Sequence, residues 1–220
     1  MDKFSVIITA GGISSRYGNT NKLLENLNNK TVIEETVSKF QNIENINEII
    51  ITANLSIIDI LNKMFLNQNI IITKGGKTRQ ESVYNGLQLV KNQYVLIHDG
   101  ARPLINKDTI MRTIDKTIEY DAVTVMTKTT DTIKEVDSDN KIIRTIDRTK
   151  LYNTQTPQGF KTAVIKFAHE KLKTGSFTDD ASMLEELNIP VYIVEGEYKN
   201  IKITTKSDLD FTKIYLDKSL

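Results

Sequence analysis

Near the amino terminus the chain reads Val6-Ile7-Ile8-Thr9-Ala10-Gly11-Gly12-Ile13-Ser14-Ser15-Arg16-Tyr17-Gly18, and Lys22 follows. The apolar start of this stretch is typical of a strand that is buried on both faces. The two glycines permit a sharp turn at its carboxyl end, and without side chains they let amide N–H groups approach an anion closely. Arg16 and Lys22 add positive charge there. The stretch therefore favours a polyphosphate site, although a plain strand-to-loop turn with surface charges would read similarly.

Two common phosphate-binding motifs do not fit these letters. A P-loop requires Gly-Lys followed by Ser or Thr, whereas Gly18 is followed by Asn19. The dinucleotide fingerprint requires Gly-x-Gly-x-x-Gly and an acidic residue about 20 positions later for the ribose. Here the glycines are Gly11, Gly12 and Gly18, and the next predicted strand ends at 52–54 in Thr-Ala-Asn, without an acid. The sequence thus indicates a different kind of phosphate loop.

Composition limits the classes of protein that the chain can belong to. A length of 220 residues suits one α/β domain, so we predict a single domain over residues 1–220. The net charge of +1 gives no global attraction to nucleic acid or membrane, and the absence of cysteine excludes disulfides, a thiolate nucleophile and Cys-ligated zinc. No signal-peptide pattern and no run of roughly 18 apolar residues occurs. We expect a soluble cytoplasmic protein without nucleic-acid or membrane partners.

Strand-like and helix-like segments alternate through most of the chain. This order predicts an α/β fold with a Rossmann-like, mostly parallel sheet, helices on both faces and right-handed crossovers. Ligands bind outside the carboxyl ends of such strands, and three of those ends here carry clusters of Gly, Arg, Lys and Asp. The predicted strands are 4–9, 48–52, 69–73, 94–98, 122–126, 191–194 and 200–204. The predicted helices are 31–40, 57–65, 78–90, 107–119, 162–173, 179–187 and a last one opened by Ser207-x-x-Asp210.

One region interrupts this alternation. The strand-like segments 130–136 and 141–146 flank the turn-rich tetrad Asp137-Ser138-Asp139-Asn140. The pattern predicts a protruding β-hairpin arm at about residues 129–149. A lone hairpin is only marginally stable in water, so it is expected to pack on something. A neighbouring subunit is the natural candidate, and a homodimer through the arm is our hypothesis.

Eight motifs occur in order, and together they resemble one family nearly end to end. Each motif is weak alone, but eight in sequence are specific. They are Ala10-Gly11-Gly12 with Arg16, Gly18 and Lys22; Gly75-Gly76 with Arg79-Gln80-Glu81-Ser82-Val83; His98-Asp99-Gly100-Ala101-Arg102-Pro103; Asp131-Thr132-Ile133-Lys134; Thr145-Ile146-Asp147-Arg148; Gln155-Thr156-Pro157-Gln158-Gly159-Phe160; Thr178-Asp179-Asp180-Ala181; and Asn200-Ile201-Lys202-Ile203-Thr204. The chain resembles the 2-C-methyl-D-erythritol 4-phosphate cytidylyltransferases of non-mevalonate isoprenoid biosynthesis.

The resemblance implies a nucleotidyltransferase fold and a particular reaction. CTP and methylerythritol phosphate would give CDP-methylerythritol and pyrophosphate, with Mg²⁺ as cofactor. A substrate phosphate is already anionic and needs no general base, so catalysis would consist mainly of positioning and charge neutralisation. Such a site requires cations, a metal and backbone amides, which agrees with a chain that has no cysteine.

The same resemblance assigns residues to this reaction. Arg16, Lys22 and Lys202 would be the catalytic cations, with Arg16 and Lys22 on the CTP phosphates, and Asp99 would bind Mg²⁺. The CTP-binding set is Ala10, Gly11, Gly12, Arg16, Lys22, Gly75, Gly76, Ser82 and Asp99. The methylerythritol phosphate set is Asp99, Arg102, Thr132, Arg148, Thr156 and Lys202, of which Thr132 and Arg148 would reach the neighbouring subunit's substrate.

A few residues carry structural expectations instead. His98 reads as a packed or hydrogen-bonded support, and His169 falls on the polar side of its predicted helix. Arg79 is expected to stabilise the nucleotide loop. Asp179 caps the following helix equally well as it would serve a site, and Asp99 could instead cap the helix that starts near residue 107.

Two other functions fit parts of the same pattern. Ribitol-5-phosphate cytidylyltransferase shares similar first-loop and Gln-Thr-Pro-Gln motifs, but the Gly100-Ala101 pair and the 79–83 and 145–148 segments read more like the methylerythritol enzyme. A non-catalytic nucleotide-binding module would be expected to lose charge at Lys22, Asp99 or Lys202, yet all are present. A two-substrate turnover assay separates these alternatives.

Overall fold

The centre of the molecule is a mixed β-sheet. The computed structural model describes residues 2–12, 17, 21–173 and 175–217. Its strands are β1 (Phe4–Ala10), β2 (Asn26–Leu27), β3 (Lys30–Thr31), β4 (Ile46–Ala53), β5 (Ile70–Lys74), β6 (Tyr94–Asp99), β7 (Ala122–Lys128), β8 (Ile133–Val136), β9 (Ile142–Ile146), β10 (Tyr152–Lys161) and β11 (Tyr192–Glu195). Seven of these strands form the main sheet, in the order β11-β7-β10-β6-β1-β4-β5.

Most neighbours in this sheet are parallel, as the alternation of elements predicts. β1 pairs in parallel with β4 and β6, β4 with β5, and β11 with β7. β10 is the exception, because it lies antiparallel between β6 and β7. The prediction omitted β10 because its buried part, 155–160, begins with Gln-Thr-Pro-Gln, which looks like a loop. The carboxyl ends of β1, β4 and β6 consequently meet at one edge.

Helices cover both faces of the sheet. They are α1 (Val32–Gln41), α2 (Ile58–Met64), α3 (Arg79–Leu87), α4 (Lys107–Tyr120), α5 (Thr162–Lys171), α6 (Ala181–Glu186) and α7 (Lys206–Asp217), with short 3₁₀ turns at Lys22–Leu24 and Arg148–Lys150. Side chains alternate along β1, so Val6 and Ile8 join the core beneath α1, α2 and α4, whereas Ile7 joins the core beneath α3, α5 and α6. Each fully buried aliphatic side chain contributes about 1.5–3 kcal/mol of burial free energy.

Side-chain caps fix where the helices begin. Thr31 and Glu34 form a capping box at α1, and Asn106 rather than Asp99 caps α4. The predicted box at α7 is displaced by two residues. Thr205 accepts from the Asp208 amide, while Asp208 accepts from the amides of residues 204 and 205. Asp208 thereby bonds two amides that immediately precede the first turn of α7.

The hairpin arm stands apart from these cores. β8 and β9 pair only with each other, in an antiparallel hairpin that closes through the Asp137 carboxylate, which accepts from the amides of Asp139 and Lys141. Its Ile142 and Ile143 side chains are each 58% exposed. The predicted arm is therefore confirmed in shape. Among the described residues, no helix is long and apolar enough to cross a membrane.

The segment that carries Lys202 differs from its prediction. Residues 200–204, all of which the structure describes, form no strand. Only one main-chain hydrogen bond links Lys202's neighbour Ile203 to the strand-end loop, from the Ile203 amide to the Ala101 carbonyl at 2.8 Å. Ile203 is buried and Lys202 is partly exposed. The apolar and polar residues of this segment therefore alternate without any strand pairing.

Candidate functional site

A cleft opens at the edge where β1 and β6 end. It encloses about 370 Å³, which lies within the range of ligand pockets. Backbone from the glycine turn after β1, the start of α3 and the 200–204 segment supplies its walls. The described lining residues are Thr9, Gly11, Gly12, Lys22, Leu23, Lys77, Thr78, Arg79, Ser82, Asp99, Gly100, Ala101 and Lys202.

Asp99 lies at the centre of this cleft, at the end of β6. Its side chain is 8% exposed and faces three cations. Lys202 Nζ is 2.8 Å from Oδ2, Arg79 Nε is 3.5 Å from Oδ1, and Arg102 Nε is 3.6 Å from Oδ2. Thr9 Oγ1 adds a hydrogen bond to Oδ1 at 3.4 Å. These residues come from four separate segments, so the fold alone gathers them.

The charge state of Asp99 follows from these neighbours. Burial by itself would raise the pKa of the carboxyl group. The positive charges of Lys202, Arg79 and Arg102 outweigh burial and hold that pKa well below its usual range. Asp99 is therefore an anion at any physiological pH, and the cleft carries a net positive charge around it.

Arg79 is held from two sides. Its Nη1 donates to Asp180 Oδ2 at 2.7 Å, while its Nε faces Asp99. Burial would lower the pKa of Arg79, but the two carboxylates raise that pKa above its usual value. The guanidinium Nη2 is buried and has no hydrogen-bond partner among the described residues. Arg79 thus links the cleft to the amino-terminal end of α6, a larger role than the predicted loop support.

Asp180 anchors Arg79 within a buried polar network. The Asp180 side chain is 1% exposed, and His169 Nε2 lies 3.3 Å from its Oδ1. Gln158 on β10 accepts from the Asp180 amide at 3.0 Å and donates to Asp179 Oδ2 at 2.8 Å. His169 was expected on a polar helix face, but it is only 2% exposed, and its ring contacts Asp180 and stacks with Tyr84 of α3. Asp179 caps α6 as expected, since its Oδ1 accepts from the Ser182 amide.

His98 supports the floor of the cleft. The ring is fully buried, and burial lowers its pKa to about 4, so it is neutral. Its Nε2 lies 3.2 Å from the Arg102 carbonyl, which can only accept, so the proton resides on Nε2. Nδ1 then accepts from the Thr156 hydroxyl at 3.1 Å, and that hydroxyl accepts from the Asp99 amide at 3.0 Å. This chain confirms His98 as a hydrogen-bonded support.

Ser82 joins the two glycine turns. Its hydroxyl accepts from the Gly76 amide at 3.0 Å and donates to the Thr78 carbonyl at 2.8 Å. A Cβ at Gly11 would lie 2.8 Å from Ser82 Oγ, so this close approach requires glycine. A Cβ at Gly12 would meet nothing within 4 Å, which leaves open space beside that amide. Gly11 and Gly12 therefore line the cleft without side chains, and their role as a phosphate loop stays a prediction.

The predicted site residues separate into three groups. Gly11, Gly12, Lys22, Ser82, Asp99 and Lys202 line the cleft. Five more residues adjoin the cleft without lining it. Ala10 ends β1, Gly75 and Gly76 contact Ser82, and Arg102 and Thr156 contact Asp99. Thr132 and Arg148 lie on the exposed arm and do not line the cleft in the part of the chain described here. Arg16 lies outside the described residues.

Sequence reasoning missed several groups that organise the cleft. Lys77 and Thr9 line it, and Asp180 and Asn200 hold Arg79 and Arg102 from behind. Asp180 and Asn200 each belong to a motif that carried the resemblance, which is the signal that could have found them. Lys77 and Thr9 carry no such signal, because a surface lysine and a strand threonine are common.

This fold and cleft define an α/β enzyme of the nucleotidyltransferase class. The family model for 2-C-methyl-D-erythritol 4-phosphate cytidylyltransferase matches residues 4–218, and the chain belongs to that family. A relative with this name from Caldanaerobacter subterraneus subsp. tengcongensis is 40% identical over 224 residues, covering 97% of this chain and 99% of the relative.

Solved structures agree with this assignment. The chain is similar to 4-diphosphocytidyl-2C-methyl-D-erythritol synthase from Anaerococcus prevotii, with a TM-score of 0.88, 33% identity and coverage of 98% of this chain and 99% of that one. It is also similar to 2-C-methyl-D-erythritol 4-phosphate cytidylyltransferase from Thermus thermophilus, with a TM-score of 0.83, 27% identity and coverage of 99% and 100%. The predicted family and fold class are thereby confirmed, and the family favours the methylerythritol interpretation over the ribitol one.

Proposed function

We propose that the chain transfers the cytidylyl group of CTP to 2-C-methyl-D-erythritol 4-phosphate and releases pyrophosphate, in isoprenoid precursor biosynthesis. The observation that carries this proposal is the convergence on Asp99 of Lys202, Arg79 and Arg102, within a cleft that Lys22 and two glycines also line. Family membership supplies the identity of the substrates. The single domain over 1–220 and the cytoplasmic location remain predictions.

The reaction requires the protein to position both substrates and to neutralise the charge of their phosphates. A phosphate oxygen of the acceptor attacks the α-phosphorus of CTP, a new P–O bond forms, and the bond to the β-phosphate oxygen breaks. The electron pair leaves with pyrophosphate. The attacking oxygen is already anionic, so no general base is required. This suits a cleft whose described lining residues include cations and amides but no histidine.

Lys22 and Arg16 are assigned to the leaving pyrophosphate. Lys22 follows the glycine turn, and Asn21 fixes the start of its 3₁₀ turn by accepting from the Leu23 amide at 3.1 Å. Preorganised cations of this kind stabilise charge that develops on a leaving group. The Gly11 and Gly12 amides are assigned to the triphosphate, and the Gly75-Gly76 turn with Ser82 to the base and ribose.

Lys202 is assigned to the reacting phosphorus. Its ammonium group rests on Asp99, but its side chain remains 39% exposed and its four-carbon stem is flexible. We propose that Lys202 exchanges the carboxylate for substrate phosphate oxygens when both substrates bind. Arg102 and Thr156 are assigned to the acceptor, beside Asp99.

The Mg²⁺ proposal depends on the donor set. Asp99 is the one carboxylate among the described residues that line the cleft, and no group of three or more metal-ligating side chains occurs among those residues. Mg²⁺ commonly takes one or two protein carboxylates and completes its octahedron with phosphates and water, so the residues fit. Bound there, the metal would neutralise triphosphate charge. Asp99 would hold the metal, and Lys202 would release its ion pair with Asp99 Oδ2.

The two predicted site residues on the arm, Thr132 and Arg148, are explained by a proposed homodimer that forms through the arm. Thr132 and Arg148 are exposed on the arm, where the Arg148 guanidinium donates to the Thr130 carbonyl. Exposed Ile142 and Ile143 offer apolar surface for a second copy of the chain. In such a dimer each arm would bring Arg148 to the partner's acceptor phosphate. Gel filtration at the monomer mass over a wide concentration range would overturn this arrangement.

The experiment that tests the function measures pyrophosphate release from CTP and Mg²⁺ with two acceptors. We expect turnover with 2-C-methyl-D-erythritol 4-phosphate and much less with ribitol 5-phosphate. Preference for ribitol 5-phosphate would replace the proposed substrate. CTP binding without turnover on either acceptor would favour a non-catalytic nucleotide-binding module and overturn the proposal.

A further inference from the structure

We propose that Asn200 is a positioning residue that holds Lys202 and Arg102 against Asp99. This inference rests on the proposed function, because it concerns the same cleft. Lys202 lies in a segment without strand pairing, so something other than a sheet ladder must fix its backbone. Asn200, two positions earlier, is 1% exposed, although asparagine is seldom buried without a structural reason.

The Asn200 side chain ties this segment to β10. Its Nδ2 donates to Gln155 Oε1 at 3.1 Å and to the Thr156 carbonyl at 3.0 Å. Both partners accept here, so the amide orientation is determined by the hydrogen bonds. Gln155 is held in turn, because its Nε2 donates to the Glu197 carbonyl at 2.9 Å. Both Nδ2 donors of Asn200 are therefore used inside the protein, while its buried Oδ1 has no hydrogen-bond partner among the described residues.

The Asn200 main chain reaches Arg102. The Arg102 Nη1 donates to the Asn200 carbonyl at 2.7 Å, which leaves the Arg102 Nε pointing toward Asp99 Oδ2. On the other side of Lys202, the buried Ile203 donates its amide to Ala101. Lys202 is thus fixed between two anchors, and its ammonium reaches Asp99 Oδ2 at 2.8 Å.

This arrangement predicts a selective defect when the two donors of Asn200 are lost. Lys202 and Arg102 should shift together, whereas Ser82 and the glycine turns belong to other elements and should stay in place. A displacement of about 1 Å at a reacting group can cost about 10²-fold in rate. We expect kcat to fall about 10²-fold and KM for the acceptor to rise, with the Kd of CTP changed less than about threefold.

The experiment combines isosteric variants with a double-mutant cycle. Asn200→Asp keeps the shape but removes both donors, so it should be as damaging as Asn200→Ala. In a Lys202→Ala background, Asn200→Ala should lower kcat less than about threefold, because its effect on kcat acts through Lys202, whereas the rise in KM for the acceptor, which acts through Arg102, should remain. Asn45→Ala is the matched control, since Asn45 is 6% exposed and donates to the Asp2 carbonyl at 3.2 Å, away from the cleft. It should leave kcat and both KM values unchanged.

A second measurement does not depend on turnover. The labelling rate of Lys202 by an amine reagent, followed by mass spectrometry, should rise severalfold in Asn200→Asp but not in Asn45→Ala. Gln155→Ala removes one of the two acceptors of Asn200, together with the bond from Gln155 to Glu197. It should give a smaller change in the same direction, which tests the inference if the Asn200 variants fail to fold. Wild-type activity of Asn200→Asp, or full additivity with Lys202→Ala, would overturn the inference. A wild-type protein without turnover would instead overturn the proposed function, while the labelling rates would still decide the role of Asn200.

Discussion

Two regions of the chain carry cations assigned to substrate phosphate, and they hold those cations in different ways. Around Asp99, side chains from separate segments meet at a carboxylate that is 8% exposed. Arg79 and Arg102 are each held by a second partner, the Asp180 carboxylate and the Asn200 carbonyl. On the arm, Arg148 is exposed and its guanidinium donates to a carbonyl of the same hairpin. The arm's ion pair between Arg144 and Glu135 is 68% and 43% exposed.

The difference lies in what each region can do without a partner. Removing one partner of an ion pair in a desolvated site is costly, because it leaves a buried charge unpaired, whereas exposed pairs contribute about 0–1 kcal/mol. The Asp99 centre is therefore preorganised within one chain. The arm can contribute binding energy only where a second surface removes its arginine from water. Substitutions in the two regions should consequently differ in size and in kind.

The largest expected effect is on turnover at the Asp99 centre. Lys202→Ala removes a preorganised cation and should lower kcat about 10²–10³-fold, by analogy with the loss of one oxyanion donor. Lys206→Ala is the matched control, because Lys206 is an exposed lysine four positions later at the start of α7. Steady-state kinetics with CTP and the acceptor measures both. A loss below about tenfold for Lys202→Ala would show that the centre does not depend on this cation.

The next effect is on stability. Asp180→Asn leaves the buried charge of Arg79 without its 2.7 Å partner and should lower the free energy of unfolding by about 3 kcal/mol. Asp121→Asn removes the exposed ion pair with Lys161 and should cost less than about 1 kcal/mol. Urea unfolding followed by circular dichroism compares the two variants. Equal small losses would show that burial does not distinguish these pairs.

The same pair should also shape the pH dependence of stability. Burial would raise the pKa of Asp180, but Arg79 and His169 lower it below the ordinary value of 3.8. In acid the unfolded chain therefore binds this proton more readily than the folded protein does. The stabilisation is present above the ordinary pKa and is lost as the pH falls through the folded value. Asp180→Asn should show a shallower loss of stability below about pH 4 than the wild type.

The strands of the parallel sheet and the hairpin arm could be predicted from the sequence. Apolar runs such as Val6–Ile8 alternate across β1 into two cores, and this pattern is local, so the parallel sheet and its active edge followed from the letters. The arm was also predictable, because a turn-rich tetrad lies between two strand-like segments. The sequence predicts a strand or helix correctly where the local pattern of apolar and polar residues matches the burial of those residues in the fold.

The parts that were missed depend on contacts between distant segments. β10 reads as a loop because Gln155, Thr156 and Gln158 are polar although buried. Their side-chain and main-chain bonds to distant residues, among them Thr124, Asp99 and Asn200, satisfy these groups in a strand. The role of Asp180 is hidden for the same reason, since its partner Arg79 lies about a hundred positions away. The 200–204 segment was wrongly predicted as a strand, because its apolar and polar letters alternate but its burial does not: Asn200 and Ile203 are buried, and Lys202 between them is partly exposed.

The smallest expected effect is on the arm. Arg148→Ala would remove the proposed charge-assisted bond to the acceptor phosphate and should raise KM for the acceptor about tenfold, without changing the Kd of CTP or the free energy of unfolding. Arg144→Ala is the matched control on the same hairpin, because its ion pair with Glu135 is exposed. An unchanged KM in Arg148→Ala would remove this residue from the proposed site.

Mixing two variants tells whether Arg148 serves its own chain or the partner. If each site combines Lys202 of one chain with Arg148 of the other, a heterodimer of Lys202→Ala and Arg148→Ala contains one intact site. Random exchange makes about half of the dimers mixed, so about a quarter of all sites should regain wild-type kinetics at low acceptor concentration. The activity would increase after the two variants are mixed, at the rate at which subunits exchange between dimers. If Arg148 acts within its own chain, mixing restores nothing, because no site then holds both side chains.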